Sequence, residues 1–258
     1  MNSIVSIITP CFNSEIYIKE TIHSVLSQTY NNWEWIIVDD KSTDNSVKVI
    51  QQEIKADHRV KLVCLAKNVG AAEARNTGIE QANGRYLAFI DSDDLWMPEY
   101  LERALNFMLK ENYEFIYSSY ERRDENLNPS LNPFIVPEKL TYKDLLYHCP
   151  IFTSTVIYDT KRVGKIKYPL VDKREDHALY LNLLKEIPEA HGILDPSNVW
   201  YRIHENSYSR NKLEILLKQF QVYYNFLNLS LPKSIYYTAH WALNGMRKYE
   251  KLRFRNSR

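Results

Sequence analysis

Arg85-Tyr86-Leu87-Ala88-Phe89-Ile90-Asp91-Ser92-Asp93-Asp94-Leu95-Trp96 is the stretch on which the reading of this chain turns. A short apolar run without polar alternation predicts a strand buried on both faces. In an open α/β sheet, ligands bind just beyond the carboxyl ends of such strands. Asp91, Asp93 and Asp94 follow directly, too close together to ionise cheaply without a cation. Hard divalent ions such as Mg²⁺ or Mn²⁺ take oxygen ligands and share them with phosphate groups. A metal–diphosphate site is one reading, and a solvated acidic turn capping the next helix is the other. The rest of the chain decides between them.

The chain has 258 residues and a net charge of +1, so it holds one large domain or two joined ones, and nothing global argues for nucleic acid. Cys11, Cys64 and Cys149 are scattered without metal or redox spacing, as expected of small reduced residues. Met1 to Ile8 lacks the basic start and long apolar core of a signal peptide. No apolar run approaches the roughly 20 residues of a spanning helix. The expected location is the cytoplasm, with a possible place at the inner face of the cell membrane set by the C-terminus.

Outward from the acidic strand, strand and helix alternate. Ile4 to Ile8 reads as a first strand ended by Pro10, and Asn13 or Ser14 as the cap of a helix carrying Ile18, Ile22, Val25 and Leu26. Trp35 to Val38 reads as a second strand ending in Asp39 and Asp40. Asp44 reads as the cap of a helix with Val47, Ile50 and Ile54, followed by a strand over Val60 to Leu65 and a helix over Ala71 to Gln81. Four alternations predict a mostly parallel sheet with helices on both faces. No glycine precedes Gly70, so the first turn cannot be a glycine-rich phosphate loop. A bound nucleotide would need a cation instead.

Farther along, Pro98 reads as a first-turn helix residue, with Leu101, Leu105, Met108 and Leu109 inward. Phe115 to Ser119 and Ile151 to Tyr158 read as strands, and Glu121 to Pro137 as a long surface loop. Arg174 to Lys185 reads as a helix with Leu179, Leu183 and Leu184 inward, and Asn198 to Ile203 as a strand. Two helices follow Leu213. The last carries Tyr237, Trp241 and Tyr249 among Arg247, Lys248, Lys251, Arg253, Arg255 and Arg258, a composition suited to an anionic membrane surface or to a solvated tail.

Five pieces now fall into one order. Thr9-Pro10-Cys11-Phe12-Asn13, Leu26-Ser27-Gln28-Thr29, Ile37 to Ser42, Asn68-Val69-Gly70 with Ala74-Arg75-Asn76-Thr77-Gly78, and Asp91-Ser92-Asp93-Asp94 together resemble the family-2 glycosyltransferases. Glu175-Asp176 and Tyr201-Arg202-Ile203-His204 extend the likeness loosely to about residue 210. The resemblance implies an α/β, Rossmann-like GT-A fold plus C-terminal helices. Residues 1–97 would be the nucleotide-sugar-binding half, 98–210 the acceptor-binding half and 211–258 a helical, basic tail.

It also implies an inverting transfer, from a nucleoside-diphosphate sugar (UDP-linked by expectation) to a hydroxyl of a glycan or lipid-linked acceptor, with Mn²⁺ or Mg²⁺ as cofactor. Phe12 can stack on a base, the Asp40 carboxylate can accept from a ring N–H, and Arg75 can donate to ring or phosphate oxygens. In the family, positions matching Pro10, Phe12, Asp40 and Arg75 line the base pocket, and Asn68 and Ser92 fall in matching motifs. Asp39 reads as the cap before Ser42. By the same match Asp93 is the metal ligand and Asp91 orients the ribose or a metal-bound water, while Asp94 caps the following turn. Asp176 is the expected base, with Glu175 as runner-up. His204 is expected near the metal or diphosphate, and Arg202 and Arg210 near the phosphates.

Three other functions compete. A nucleotidyltransferase is expected to carry the missing glycine loop. A sugar-nucleotide-binding protein without activity would lose the base. A processive synthase would need membrane helices and a Gln-x-x-Arg-Trp motif, absent after the acidic pair.

Overall fold

The computed structural model describes residues 4–55, 57–204 and 212–250, with the backbone alone at 212 and 246–250. The first ninety residues form β1 (Val5–Cys11), α1 (Ile18–Leu26), β2 (Trp33–Asp39), α2 (Ser46–Ile54), β3 (Val60–Cys64), α3 (Ala71–Gln81) and β4 (Tyr86–Phe89). β1 pairs in parallel with β2 and β4, and β2 with β3. The apolar runs are buried on both sides, as their lack of alternation requires. Ile7, Trp35, Ile37 and Ala88 pack on one face with Ile18, Ile22 and Val25 of α1. Ile8, Ile36, Val38 and Phe89 pack on the other with Ala74 and Ile79 of α3. Gly84 leads into β4 because a Cβ there would lie 2.6 Å from the Ser6 amide nitrogen.

The chain continues through β5 (Leu95–Trp96), α4 (Tyr100–Glu111), β6 (Phe115–Ser118), β7 (Tyr120–Arg123), β8 (Pro129–Phe134), β9 (Lys139–Leu140), α5 (Tyr142–Tyr147), β10 (Ile157–Asp159), α6 (Thr160–Val163), α7 (Glu175–Glu186), β11 (Ala190–Ile193), β12 (Val199–Arg202), α8 (Lys212–Gln221) and α9 (Leu231–Glu250). The large sheet has the order β3-β2-β1-β4-β10-β6-β11-β9, and a smaller one the order β5-β12-β7-β8. In the large sheet β10 runs against both its neighbours and β9 against β11, while the rest are parallel. The order reverses between β1 and β4. The carboxyl ends of the strands at such a switch point are the standard ligand position of an open α/β sheet.

Several local expectations need correction. β1 runs through Pro10 to Cys11, because β4 pairs only as far as Ile8 and proline is tolerated where a strand lacks a second neighbour. Neither Asn13 nor Ser14 caps α1 by its side chain; the Ser14 carbonyl accepts the Tyr17 and Ile18 N–H groups instead. Pro98 lies before α4, whose Leu109 is exposed. Strand structure in the stretch from Ile151 is confined to β10, after a 3₁₀ turn over Thr153–Thr155.

The expected loop after Glu121 is instead the β7–β8 hairpin of the second sheet. Arg122 is buried there, donating to the Asn132 carbonyl, and the prolines of β8 sit on an edge strand. Among the described residues no helix is long and apolar enough to cross a membrane.

Candidate active site

Ile90 still donates to the Ile8 carbonyl (3.2 Å), so the chain leaves β4 paired to β1 as it delivers Asp91. The Asp94 N–H then closes a turn onto the Asp91 carbonyl at 3.2 Å. Ser154 braces this turn: its Oγ accepts the Asp91 N–H at 3.0 Å and donates to Asp94 Oδ2 at 2.5 Å. Asp94 Oδ1 accepts the Arg202 N–H at 3.1 Å. Burial, with Asp93 and Asp91 close by, holds the Asp94 carboxyl well above the usual carboxylate range. Asp94 is thus a buried tie between β12 and the acidic turn, not a cap for the next turn. Ser92 also points inward, its hydroxyl 2.7 Å from that of Ser14, so the side chain expected at a nucleotide is spent inside the protein.

At the mouth of β1 the two neighbours differ sharply. Pro10 is buried in the strand, whereas the Phe12 ring is 48% exposed and not a core aromatic. The Asp40 N–H donates to the Cys11 carbonyl, and its carboxylate accepts the Val69 (2.7 Å) and Gly70 (2.8 Å) N–H groups. Gly70 needs its φ of +88° to present that N–H just ahead of α3. Asn68 donates to the Asp40 carbonyl at 3.1 Å. Asp40 therefore pins the loop before α3 to the end of β2, with lone pairs left on each oxygen for a further donor. Asp39 accepts the Ser42 N–H at 3.1 Å.

Arg75, on the first turns of α3, joins the two acidic ends of the site. Its Nη2 lies 2.6 Å from Asp91 Oδ1, and its Nη1 lies 3.6 Å from Asp176 Oδ1 at the start of α7. The guanidinium is buried, with its carbon 5.1 Å from the centre of the Tyr168 ring. Burial opposes its charge, but Asp91 and Asp176 outweigh that and hold the pKa above the ordinary arginine value. Burial raises the Asp91 pKa; Arg75 pulls it back, and Asp93 and Asp176 push it up again. The Glu175 carboxyl is raised as well, first by burial and then by Asp176. The Asp176 side chain is 43% exposed, yet its Oδ1 is buried with no hydrogen-bond partner, as are Arg75 Nε and Tyr168 Oη.

β12 closes the other side. His204 Nε2 sits 2.7 Å from Asp93 Oδ2, and that hydrogen bond is the main reason its pKa is raised. Arg202, expected on a phosphate, is 2% exposed and held by partners within the protein. It donates to the Asp93 carbonyl (2.9 Å) and the Glu125 carbonyl (2.6 Å), pairs with Glu20, and stacks over Tyr17. It positions the acidic turn through the backbone of Asp93. Arg210 lies outside the described residues.

A family model described as "Glycosyl transferase family 2" matches residues 6–160. The chain belongs to that family. Among its relatives, TuaG of Bacillus subtilis (strain 168), a glycosyltransferase named for teichuronic acid biosynthesis, is 40% identical over 95% of this chain and 97% of its own. WfgD of Escherichia coli, named as a UDP-Glc:alpha-D-GlcNAc-diphosphoundecaprenol beta-1,3-glucosyltransferase, is 38% identical over 95% of each chain. In fold, the chain matches crystalline S. aureus TarS 1-349 in complex with UDP-GlcNAc. That match has a TM-score of 0.72 at 21% identity, over 92% of this chain and 71% of that one. The expected GT-A architecture and glycosyltransferase activity are both shown.

In this family-2 glycosyltransferase, then, Phe12, Asp40, Arg75, Asp91, Asp93, Asp176 and His204 stand at or near the switch-point ends of β1, β2 and β4, on α3 and α7 and after β12, while Ser92 and Arg202 turn inward. The residues that hold the constellation were not read from sequence: Ser154, Glu20, Tyr17 and Tyr168 lie in no motif and act across long stretches of chain. Arg202→Met is expected to cost roughly 2 kcal/mol in urea unfolding, because it strips the partners from two backbone carbonyls. A phosphate ligand would instead leave stability unchanged.

Directly behind Asp176, His177 is buried and bonded through Nε2 to the Leu145 carbonyl at 2.8 Å. Burial first, then Arg174, pushes its pKa down to about 3. The unfolded chain would take up this proton near 6.5, so the stability it contributes is full above that pH and is lost as pH falls towards 3. Between pH 7 and pH 5 the wild type should lose about 2 kcal/mol more than His177→Gln in denaturant titrations.

Proposed function

We propose that this enzyme transfers a hexosyl or N-acetylhexosaminyl unit from a UDP-sugar, with inversion and one unit at a time, to a hydroxyl of a lipid-linked glycan. The observation that carries this is Arg75, whose one guanidinium reaches both Asp91 and Asp176. A leaving-group end, at Asp91, and a base end, at Asp176, in this reading meet on one buried cation. In this reading Phe12 stacks on the base, and Asp40 and Asn68 frame it. Residues 1–97 then hold the donor and 98–210 the acceptor.

Asp176 is the general base. Its part-exposed carboxylate takes the acceptor's proton as the new bond forms to the anomeric carbon. Beside it, burial raises the Glu175 carboxyl, and Asp176 adds to that rise. Arg75 holds both carboxylates in place and keeps its charge throughout.

Asp91 and Asp93 offer hard oxygens, with His204 beside them, to a divalent cation. Among the described residues no three His, Cys, Asp or Glu side chains form a complete cage. The donor set still fits Mg²⁺ or Mn²⁺, which use one or two carboxylates and take their remaining ligands from water and phosphate. Burial is the main cause of the raised Asp91 carboxyl, and the repulsion from Asp93 and Asp176 that adds to it would be relieved by a cation there. When bound, the metal would neutralise charge growing on the departing diphosphate. A related fold, the Pyrobaculum calidifontis mannosyltransferase PcManGT, was solved with GDP-Man and Mn²⁺.

The names of the relatives support a surface-polysaccharide role on a lipid-linked acceptor, and the proposal sets that work at the inner face of the membrane. UDP-glucose is the first donor to test and diphosphoundecaprenol-linked GlcNAc the first acceptor. A screen of donor hydrolysis across sugar nucleotides should show one preferred UDP-sugar. Preference for a non-uridine nucleotide would overturn the UDP assignment.

A further inference from the structure

Half of the exposed large hydrophobic residues in the described chain lie between Leu213 and Leu243. Within α9, Leu231, Ile235, Ala239 and Leu243 follow one another at four-residue spacing along one face, all exposed, and Tyr236 is exposed beside Ile235. The opposite face is the one that packs. Ser234 and Thr238 are buried, Tyr237 contacts Tyr147 and Tyr223, and Trp241 lies under Arg174. α9 is therefore an amphipathic helix whose outward side is the apolar one, the reverse of a helix that faces water.

The charge that follows identifies the occupant. Residues 247–258 hold six basic side chains and a single acid, Glu250. A second copy of this chain would bring the same positive charge against itself, whereas an anionic surface would be attracted. We infer that the outward face of α9 is a docking surface for an anionic lipid bilayer. The helix lies in the interface plane with Leu231, Ile235 and Leu243 among the acyl chains. α8 also leaves Leu213 and Leu217, one turn apart, exposed.

Flotation of the full chain with vesicles tests this without donor or acceptor, so its failure would leave the transfer reading standing. Wild type should float with vesicles containing phosphatidylglycerol and stay behind with phosphatidylcholine alone. Ile235→Glu/Leu243→Glu should lower the binding at least about tenfold, and Ile235→Trp/Leu243→Trp should raise it. Donor hydrolysis should be the same in all three. Absent flotation of wild type, or equal flotation of all three, would overturn the inference. So would a wild-type dimer that the glutamate variant dissociates, since the face would then belong to a second copy.

Discussion

Asp176→Asn should lose about a thousandfold or more of its transfer rate while UDP binding changes by less than about twofold. The substitution keeps the shape of the side chain and removes its ability to accept a proton. The Arg75–Asp91 pair, at 2.6 Å, is left in place because Arg75 makes its shorter contact there. Donor binding and chemistry should therefore separate cleanly in a calorimeter and a transfer assay. Glu175→Gln is the control, expected to cost far less. A fully active Asp176→Asn, or an inactive Glu175→Gln beside it, would move the base to Glu175.

Asp93→Ala should weaken binding of UDP in the presence of Mn²⁺ at least about tenfold, or about 1.4 kcal/mol, and should abolish transfer. EDTA on the wild-type enzyme should do the same, reversibly. The turn itself should survive, since Arg202 holds Asp93 by its backbone carbonyl and Ser154 braces the residues on either side. Loss of UDP affinity without loss of fold, checked by thermal unfolding, is the expected pattern. Equal, metal-independent UDP binding by wild type and Asp93→Ala would remove the metal from the site.

Much of this was legible in the chain, and the limits have physical causes. β4 and α3 stand where the apolar run and the small-residue helix predicted them, since each is decided by burial over a few consecutive residues. The β7–β8 hairpin was not legible. Its strands carry Arg122, Arg123 and prolines, and only the edge of a second sheet makes such residues acceptable. In the site, Asp91, Asp93 and Asp176 carry motif signals, and the structure brings all three within reach of Arg75 or its partners. The inward turns of Ser92 and Arg202 depend on Ser14 and Glu20, residues far away in sequence that no local pattern links to them. An arginine beside an acidic motif reads as a phosphate ligand until its own partners are seen.

The most direct test is the anomeric configuration of the product formed from an α-linked UDP-sugar and the lipid-linked acceptor with Mn²⁺, read by proton NMR. A β-linked product that disappears with Asp176→Asn is expected, because in the proposed reaction the acceptor hydroxyl, deprotonated by Asp176, displaces the diphosphate from the opposite face of the sugar. An α-linked product, or β-linked product formed at the wild-type rate by Asp176→Asn, would contradict it.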